Sequence, residues 1–257
     1  KFNISVPELD KKIGAGKIIL LKERSKRIRP GLDDKVLTSW NALMLRGYVD
    51  AYRAFGNQEY LNIALKNANF LVKNAITKDG SLFRNHKNGK SSIYAFLDDY
   101  AFVISAFIEL YEATFDEKWL KKANDIAAYA QEHFYDTESG MFYYTNDLYA
   151  NLISRKMEIS DNVIPASNSE MAKNLYTLGH YLYNEKSISI ARQMLVNVQA
   201  DVHKNVRYYS NWAILEAHFA NEPFEIAIVG KNFNEVRKKF DQHYLPNVFF
   251  MGGKSEG

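Results

Sequence analysis

The sequence predicts a mostly helical protein, part of an α/α toroid of helical hairpins with a small C-terminal α/β appendage. Three observations predict this fold. The chain contains a repeat of about sixty residues, in which 51–61 align with 110–120 at an offset of 59. In each copy, apolar residues recur at helical spacing on both sides of a short turn. Because a hairpin of two helices cannot bury its apolar face alone, repeated hairpins must stack, either as an open solenoid or as a closed ring.

Each copy of the repeat reads as a helix, a tight turn and a returning helix. The third copy is weaker than the first two and follows the second at an offset of 68. The sequence therefore predicts hairpins and one further helix at about 38–75, 98–134, 167–201 and 209–220. Small alanines on the returning helices should let neighbouring helices approach closely. Together these elements amount to about half of a six-hairpin ring.

The segments outside the hairpins favour short strands. Two aromatic, glycine-containing stretches, 79–85 and 139–145, follow the first two hairpins and are suited to β-hairpins or ordered loops. The end of the chain should contain a strand at 225–230 and a helix from 233 to about 243, followed by an apolar run at 248–251. We therefore predict two regions, a toroid fragment at 1–222 and an α/β tail at 223–257.

Composition and charge exclude several classes of function. The 33 basic and 30 acidic residues leave a formal charge of +3, and the basic cluster at 22–29 lacks interleaved aromatics, so nucleic acid is not an expected partner. No apolar run approaches the roughly 20 residues that cross a bilayer, so no membrane partner is expected. The absence of cysteine excludes disulfides and fits a cytoplasmic location. Because the chain begins with Lys1 and not with methionine, we expect a fragment or a processed product.

The motifs of several enzyme classes are missing. The six histidines are scattered without the spacing of a metal site, and no phosphate-binding glycine loop or GxSxG nucleophile motif occurs. We therefore predict no metal and no cofactor. Aromatic residues make up 14% of the chain, and such rings line sugar-binding clefts as well as cores.

Polar residues recur at the equivalent start of each hairpin. The repeat offsets align Asn41, Tyr100 and Asn168, and they align Trp40 with Asp99. Equivalent helix starts in a ring of hairpins lie at the same end of the ring, so these residues should meet at one mouth of the toroid. The pairs Asp33/Asp34 and Asp98/Asp99 are the strongest candidates, because glycoside hydrolysis needs one protonated and one ionised carboxyl.

We assign predicted roles on this basis. The predicted catalytic residues are Asp34, Asp98 and Asp99. The predicted substrate-binding residues are Asp33, Trp40, Asn41, Tyr100, Arg155, Glu158 and Asn168. Each assignment has an alternative: an aspartate at a helix start caps free N–H groups, an aromatic at helical spacing belongs to the core, and a charged loop forms surface salt bridges.

Four runs of sequence are long and specific: RPGLDDKVLTSWN at 29–41, FLDDYAF at 96–102, IELYEATFD at 108–116 and PASNS at 165–169. These runs resemble the spermatogenesis-associated protein 20 family of thioredoxin-domain proteins, also called YyaL-like proteins. The resemblance covers nearly the whole chain. It implies a full-length protein with an N-terminal thioredoxin-like domain, followed by a six-hairpin toroid similar to glycosidases and N-acylglucosamine 2-epimerases. This chain would be the later part of that toroid, and the resemblance transfers no catalytic residue.

The function we predict is that of a carbohydrate-active region, which acts on or binds a sugar or glycan through aspartates and aromatics at the mouth. If it is an enzyme, it is similar to a glycoside hydrolase or a sugar isomerase. The alternative is a non-catalytic scaffold that binds a ligand or protein and serves the thioredoxin-like domain. Expected partners are thus a carbohydrate and that domain of the same full-length protein. Epimerase relatives use histidines as acid and base, and no histidine lies at an aligned hairpin start, which argues against simple epimerase activity.

Overall fold

The computed structural model describes residues 3–148 and 154–255. Their contacts form two units, one ending at Asp34 and the other beginning at Lys35. The first unit contains helix α1 (Val6–Ser25), which begins where the Ser5 hydroxyl accepts a hydrogen bond from a backbone N–H of the first turn. None of the residues of α1 is buried. The domain boundaries that the sequence predicts, 1–222 and 223–257, stay predictions.

Helical hairpins make up most of the second unit. Its described helices up to residue 220 are α2 (Thr38–Phe55), α3 (Gln58–Asn74), α4 (Leu97–Thr114), α5 (Glu117–Phe134), α6 (Ser167–Tyr181), α7 (Glu185–Lys204) and α8 (Ser210–Ala220). Helices α2, α4, α6 and α8 pack side by side as an inner row, and α3, α5 and α7 each pack against the inner helix that precedes them. This arrangement confirms the α/α toroid that the sequence predicts.

The first two hairpin turns use the same device. Gly56 ends α2 with a φ of 68°, and the side chain of Asn57 then accepts a backbone N–H to begin α3. At the equivalent turn Phe115 takes a φ of 52°, and Asp116 begins α5 in the same way. A bulky residue adopts this conformation because its ring is buried, with its centroid 5.8 Å from that of Phe233.

The core lies between the two rows of helices, with α4 at its centre. Of the 18 residues in α4, 15 are buried. Alanines on the outer helices, Ala64, Ala68, Ala123 and Ala127, are almost fully buried and let the rows approach closely, as the repeat predicts. The charged groups of α4 lie in its first turn and on one stripe that faces α2.

Short antiparallel strands connect the hairpins. Strands β1 (Val36–Leu37), β2 (Phe83–Lys87) and β3 (Lys90–Tyr94) form one sheet in that order, and β4 (Tyr135–Asp136) pairs with β5 (Met141–Phe142). Strand β1 leads directly into α2, and Thr38 at the helix start donates its hydroxyl to the carbonyl oxygen of Phe83 at 2.6 Å. The first sheet is thus fixed beside the start of α2.

The chain ends in a small α/β element that packs on the inner row. Strands β6 (Phe224–Val229) and β7 (Val248–Gly253) are parallel, and α9 (Phe233–Phe240) connects them. The tail contacts the C-terminal ends of the inner helices: the Tyr181 hydroxyl donates to the Phe250 carbonyl at 3.2 Å, and Arg53 Nε lies 3.0 Å from Asp241 Oδ1. The tail therefore covers the end of the inner row opposite the hairpin starts.

Within residues 3–148 and 154–255, none of the helices combines the length and the apolar character that crossing a bilayer requires.

Candidate functional site

The starts of α2 and α4 meet at a buried carboxylate. Asp99 Oδ1 accepts the backbone N–H of Ser39 at 2.9 Å, and Asp99 Oδ2 accepts the backbone N–H of Phe96 at 3.1 Å. The aspartate thus caps its own helix and the neighbouring helix at once. Two equivalent helix starts therefore lie at the same end of the inner row. We call this end the mouth, comprising residues 38–41, 84, 96–100, 142–144 and 158–168.

Asp98 differs from Asp99 in its access to solvent. The side chain of Asp98 keeps 10% of its surface exposed, whereas that of Asp99 is fully buried. One nitrogen of Arg84, Nη1, lies 3.2 Å from Asp98 Oδ1 and 3.0 Å from Asp99 Oδ2. The same guanidinium lies over the ring of Phe96 at 4.8 Å, which limits its orientation. A single cation therefore holds both carboxyls of the pair.

The electrostatics of the pair favour proton exchange near neutral pH. Burial, and then the charge of Asp98, raise the pKa of Asp99 to about 7, against the lowering effect of Arg84 and of the two backbone N–H donors. Burial and Asp98 also raise the pKa of Tyr144, so its hydroxyl stays neutral and forms a hydrogen bond with Asp98. Perturbed carboxyls of this kind are typical of catalytic sites and also occur in structural ion-pair networks.

The start of α6 brings a third carboxylate to the mouth. Glu158 is exposed, and its Oε2 accepts the backbone N–H of Ser167 at 3.0 Å. Its charge acts on Tyr144, as that of Asp98 does. Asn168, the other predicted residue here, is fully buried, and its side chain exchanges hydrogen bonds of 2.8 and 2.9 Å with the backbone of Phe142. Asn168 thus extends the edge of β5, while Glu158 is open to solvent.

Two further predicted residues at the helix starts make hydrogen bonds within the fold. Tyr100 is 1% exposed; its hydroxyl accepts the backbone N–H of Leu82 at 3.0 Å, and its ring stacks on Tyr129. The side chain of Asn41 is half-buried and donates to the carbonyl oxygen of Leu37 at 2.8 Å. The repeat thus places both residues at helix starts, but Tyr100 points into the core.

The remaining predicted residues lie at the surface or in the other unit. Trp40, in the first turn of α2, is 67% exposed. Arg155 donates to the carbonyl oxygen of Thr145 and lies over the ring of Tyr143 at 4.1 Å, so it braces the loop before α6. Asp33 and Asp34 are exposed and end the first unit. The structure therefore brings Asp98 and Glu158 close to Tyr144, with Asp99 beside Asp98 and Trp40 at the same end of the inner row.

A second polar region lies further along the inner row, and none of its residues is among those predicted from the sequence. On α2 the charged residues Arg46, Asp50 and Arg53 follow a spacing of four and then three residues, and Ser105, Glu109 and Glu112 repeat that spacing on α4. The two sets are offset by 59 residues, which is the offset of the repeat itself. All of these side chains except that of Asp50 line a cavity of about 280 Å³, which we call the inner cavity. The shared spacing is the signal by which it could have been found.

Among residues 3–148 and 154–255, no group of three or more His, Asp or Glu side chains is arranged to hold a metal ion.

Comparison with known proteins identifies relatives of two kinds. The family model of glycosyl hydrolase family 76 matches residues 39–215. The uncharacterized protein B0495.5 of Caenorhabditis elegans is 31% identical over 98% of this chain and 36% of its own length. Human spermatogenesis-associated protein 20 is 29% identical over 74% of this chain and 26% of its own length. The resemblance that the sequence suggests is thus confirmed, and the chain spans about a third or less of the length of these relatives.

Solved structures support the same fold. A GH76 α-mannanase of Bacteroides thetaiotaomicron superposes with a TM-score of 0.53 at 19% identity, over 67% of this chain and 47% of the mannanase. The cellobiose 2-epimerase of Bacillus thermoamylovorans superposes with a TM-score of 0.54 at 13% identity, over 66% of this chain and 46% of the epimerase. At these identities the likeness concerns the fold alone. The family match, however, spans well over half of the sequence, and the chain belongs to glycosyl hydrolase family 76.

Proposed function

We propose that the mouth of this toroid binds a glycan and hydrolyses a glycosidic bond, with Asp98 as a carboxyl that contacts the substrate. The observation that carries the proposal is the Asp98–Asp99 pair on one guanidinium at the start of α4. Asp98 is the member with solvent access. Because the buried Asp99 takes up a proton near pH 7, it is a positioning residue that tunes the charge beside Asp98.

Hydrolysis of a glycoside needs a second carboxyl on the other side of the scissile bond. In the same mouth, Glu158 is the exposed carboxylate whose charge reaches Tyr144 from the α6 side. We assign to Glu158 the second role, in which a carboxylate attacks the sugar or activates water. Asp34 remains a candidate for it on its sequence pattern alone.

Aromatic groups at the mouth suit a sugar. Trp40 exposes most of its ring, and Phe96 and Tyr144 are half-buried and stacked, with centroids 5.1 Å apart. An apolar ring face packs against the C–H face of a pyranose, while neighbouring polar groups bind its hydroxyls. Arg84 has further N–H donors beyond those that hold the carboxyl pair. The mouth therefore offers stacking and hydrogen-bonding groups next to Asp98.

The reaction class rests on the chemistry of the mouth, because one toroid fold serves hydrolases and epimerases. No histidine occurs among the mouth residues, whereas carboxyls are present. Membership of glycosyl hydrolase family 76 supports the same class. Together these favour hydrolysis over epimerisation.

The test is turnover of glycans by the full-length protein and its Asp98→Asn variant. Release of reducing ends should be measured over a panel of α- and β-linked glycans that includes mannans. Loss of a general acid or base should lower kcat by about 100-fold or more in Asp98→Asn. The matched control is Glu138→Gln, which removes an exposed carboxylate at the β4–β5 turn and should leave kcat unchanged. Turnover of no glycan, or equal turnover by Asp98→Asn, would contradict the proposal.

A binding scaffold is the second candidate. Asp99 and Glu158 each cap a helix start, and capping alone accounts for their positions. Under this reading, the glycan panel is not cleaved, and a protein such as a thioredoxin-like domain forms a stable complex with the toroid. A stable complex without turnover would favour the scaffold, and turnover that depends on Asp98 would exclude it.

A further inference from the structure

The inner cavity is a separate compartment of the second unit. Its walls come from α2, α4, α6 and α8 and from the segment that precedes and begins β7. It lies along the same helices as the mouth, but deeper. On α4, its residue Glu109 follows Asp98 by eleven positions, a rise of about 16 Å along the helix axis. That distance exceeds the roughly 5 to 9.5 Å between the carboxyls of a glycosidase, so the cavity does not share the bond that the mouth would cleave.

Charged side chains of both signs alternate around the cavity. Arg46 Nη1 lies 3.0 Å from Glu170 Oε1 and 3.0 Å from Ser105 Oγ. Glu170 also pairs with Lys173, whose Nζ lies 2.6 Å from Glu170 Oε2. On the other side, Arg53 Nη1 lies 2.9 Å from Glu112 Oε2. The network therefore links three inner helices through pairs at hydrogen-bonding distance.

Glu109 is held less tightly than its neighbours. Its two oxygens lie 3.5 Å from Arg46 and 3.5 Å from Arg53, longer than the other pairs of the network, and 22% of its side chain is exposed. Contacts of that length are weak hydrogen bonds at best. Glu109 therefore retains acceptor capacity toward the cavity.

The lining indicates a neutral ligand rich in hydroxyl groups. Among the described residues of the cavity wall, three lysine or arginine side chains face three glutamates, so their formal charges balance. Burial and the charge of Glu109 raise the pKa of Glu112 to about 7, so the lining gains a small positive charge only as Glu112 takes up a proton. Its donors and acceptors match hydroxyls, which both donate and accept. Ile108, Leu215 and Phe249 supply an apolar wall. The volume of about 280 Å³ lies at the small end of ligand pockets.

We propose that the inner cavity is a second binding site, for a neutral, monosaccharide-sized polyol. Glu109 accepts ligand hydroxyls, and the unused donors of Arg46 and Lys173 bind the opposite edge. The apolar wall packs against the C–H face of the ligand. This site does not depend on hydrolysis at the mouth.

The test is binding of neutral monosaccharides by saturation-transfer NMR and calorimetry, with mannose, glucose and myo-inositol as probes and glucose 6-phosphate as the charged comparison. At least one neutral probe should bind, and Glu109→Gln should weaken it about tenfold or more. The second variant, Ile214→Trp, replaces an aliphatic side chain of the cavity wall by a large ring, leaves the ion pairs in place and should also block binding. Circular dichroism checks that both variants fold.

Each outcome decides the proposal. Asp98→Asn should bind the neutral probe as the parent does, because the cavity lies three helical turns from the mouth; loss of binding there would place the ligand at the mouth and overturn the second site. Absence of binding by every neutral probe, or tighter binding of glucose 6-phosphate, would also overturn it. Failure of the glycan turnover assay alone would contradict only the proposed hydrolase.

Discussion

At two places in the inner row, a buried aspartate connects the starts of two helices, and we call each place a joint. The two joints are built in the same way, but their surroundings differ. Asp99 joins α2 to α4, and Asp161 joins α6 to α8 by accepting the backbone N–H of Ala166 at 3.0 Å and that of Asn211 at 2.9 Å. Both aspartates are buried, and each accepts one N–H from its own side and one from the neighbouring helix. Such a carboxylate satisfies the free N–H groups of two helix starts at once.

The difference lies in the third contact. Asp161 accepts the hydroxyl of Ser169 at 2.7 Å, a neutral donor, whereas Asp99 contacts Arg84 and adjoins Asp98, whose side chain keeps 10% of its surface exposed. The joint at Asp161 thus connects helices and has no further contact to offer, whereas the joint at Asp99 lies beside a carboxyl that a substrate can contact. Burial and capping alone do not distinguish a functional aspartate; its charged neighbours and their access to solvent do.

The largest change in the free energy of unfolding is expected at the Asp161 joint. Asp161→Ala leaves two backbone N–H groups and one hydroxyl without their acceptor, and unsatisfied buried donors cost about 1 to 3 kcal/mol each. The free energy of unfolding, measured by urea denaturation, should fall by about 3 kcal/mol or more. Asp161→Asn keeps one acceptor oxygen and should lose less. A loss below about 1 kcal/mol in Asp161→Ala would mean that the two joints are not comparable.

The Asp99 joint should show an intermediate effect, namely a free energy of unfolding that depends on pH. The pKa of Asp99 is raised to about 7 from an ordinary value of 3.8, so the native state favours the protonated form. Its stabilising contribution is full below about pH 4 and is lost as the pH rises through about 7. Asp99→Asn cannot titrate, so the parent should exceed the variant in stability by about 2 kcal/mol more at pH 5 than at pH 8.

Unfolding of both proteins in urea at the two pH values measures this difference. If the difference is the same at pH 5 and pH 8, or larger at pH 8, Asp99 does not hold a proton near neutral pH. The contrast with the joint at Asp161, whose third donor is a neutral hydroxyl, would then lose its electrostatic basis.

The smallest change in the free energy of unfolding is expected for Trp40, at the surface of the mouth. Trp40 is 67% exposed, so Trp40→Ala should change the free energy of unfolding by less than about 0.5 kcal/mol. The same change should weaken glycan binding several-fold, because a stacking platform is lost. Phe55→Ala is the control, since Phe55 is 76% exposed at the opposite end of α2 and should leave glycan affinity unchanged. Equal affinities for the parent and Trp40→Ala would remove Trp40 from the site.

Much of the fold follows from the repeat, because helical periodicity and small residues recur with the same spacing. The alignment also puts the helix starts at one end, as the contact between Ser39 and Asp99 illustrates. It does not tell which way a side chain points. Successive residues of a helix differ by about 100° in direction. Hence Asp98 keeps solvent access, while Asp99 and Tyr100 are enclosed.

The inner cavity could not be recognised from single residues for a related reason. A charged stripe on a helix normally indicates a solvated face. Here Arg53 and Glu112 pair across neighbouring helices, so packing between separate elements buries part of the stripe. In the sequence, the pairing of the two stripes is indicated only by their shared spacing. That spacing can be interpreted once the two helices are known to be neighbours.

The tail has a consequence for how the chain acquires its final form. Arg53 bonds Asp241 across 188 positions of sequence, and Arg237 bonds Tyr52 across 185. Contacts of such separation carry a high cost in chain entropy and form late, whereas each hairpin depends on local contacts. During synthesis, the α2–α3 hairpin can therefore make its local contacts first, but its contacts with the tail wait for nearly two hundred further residues. A chain that lacks the tail would leave Arg53 without its contact to Asp241 and Tyr52 without its contact to Arg237.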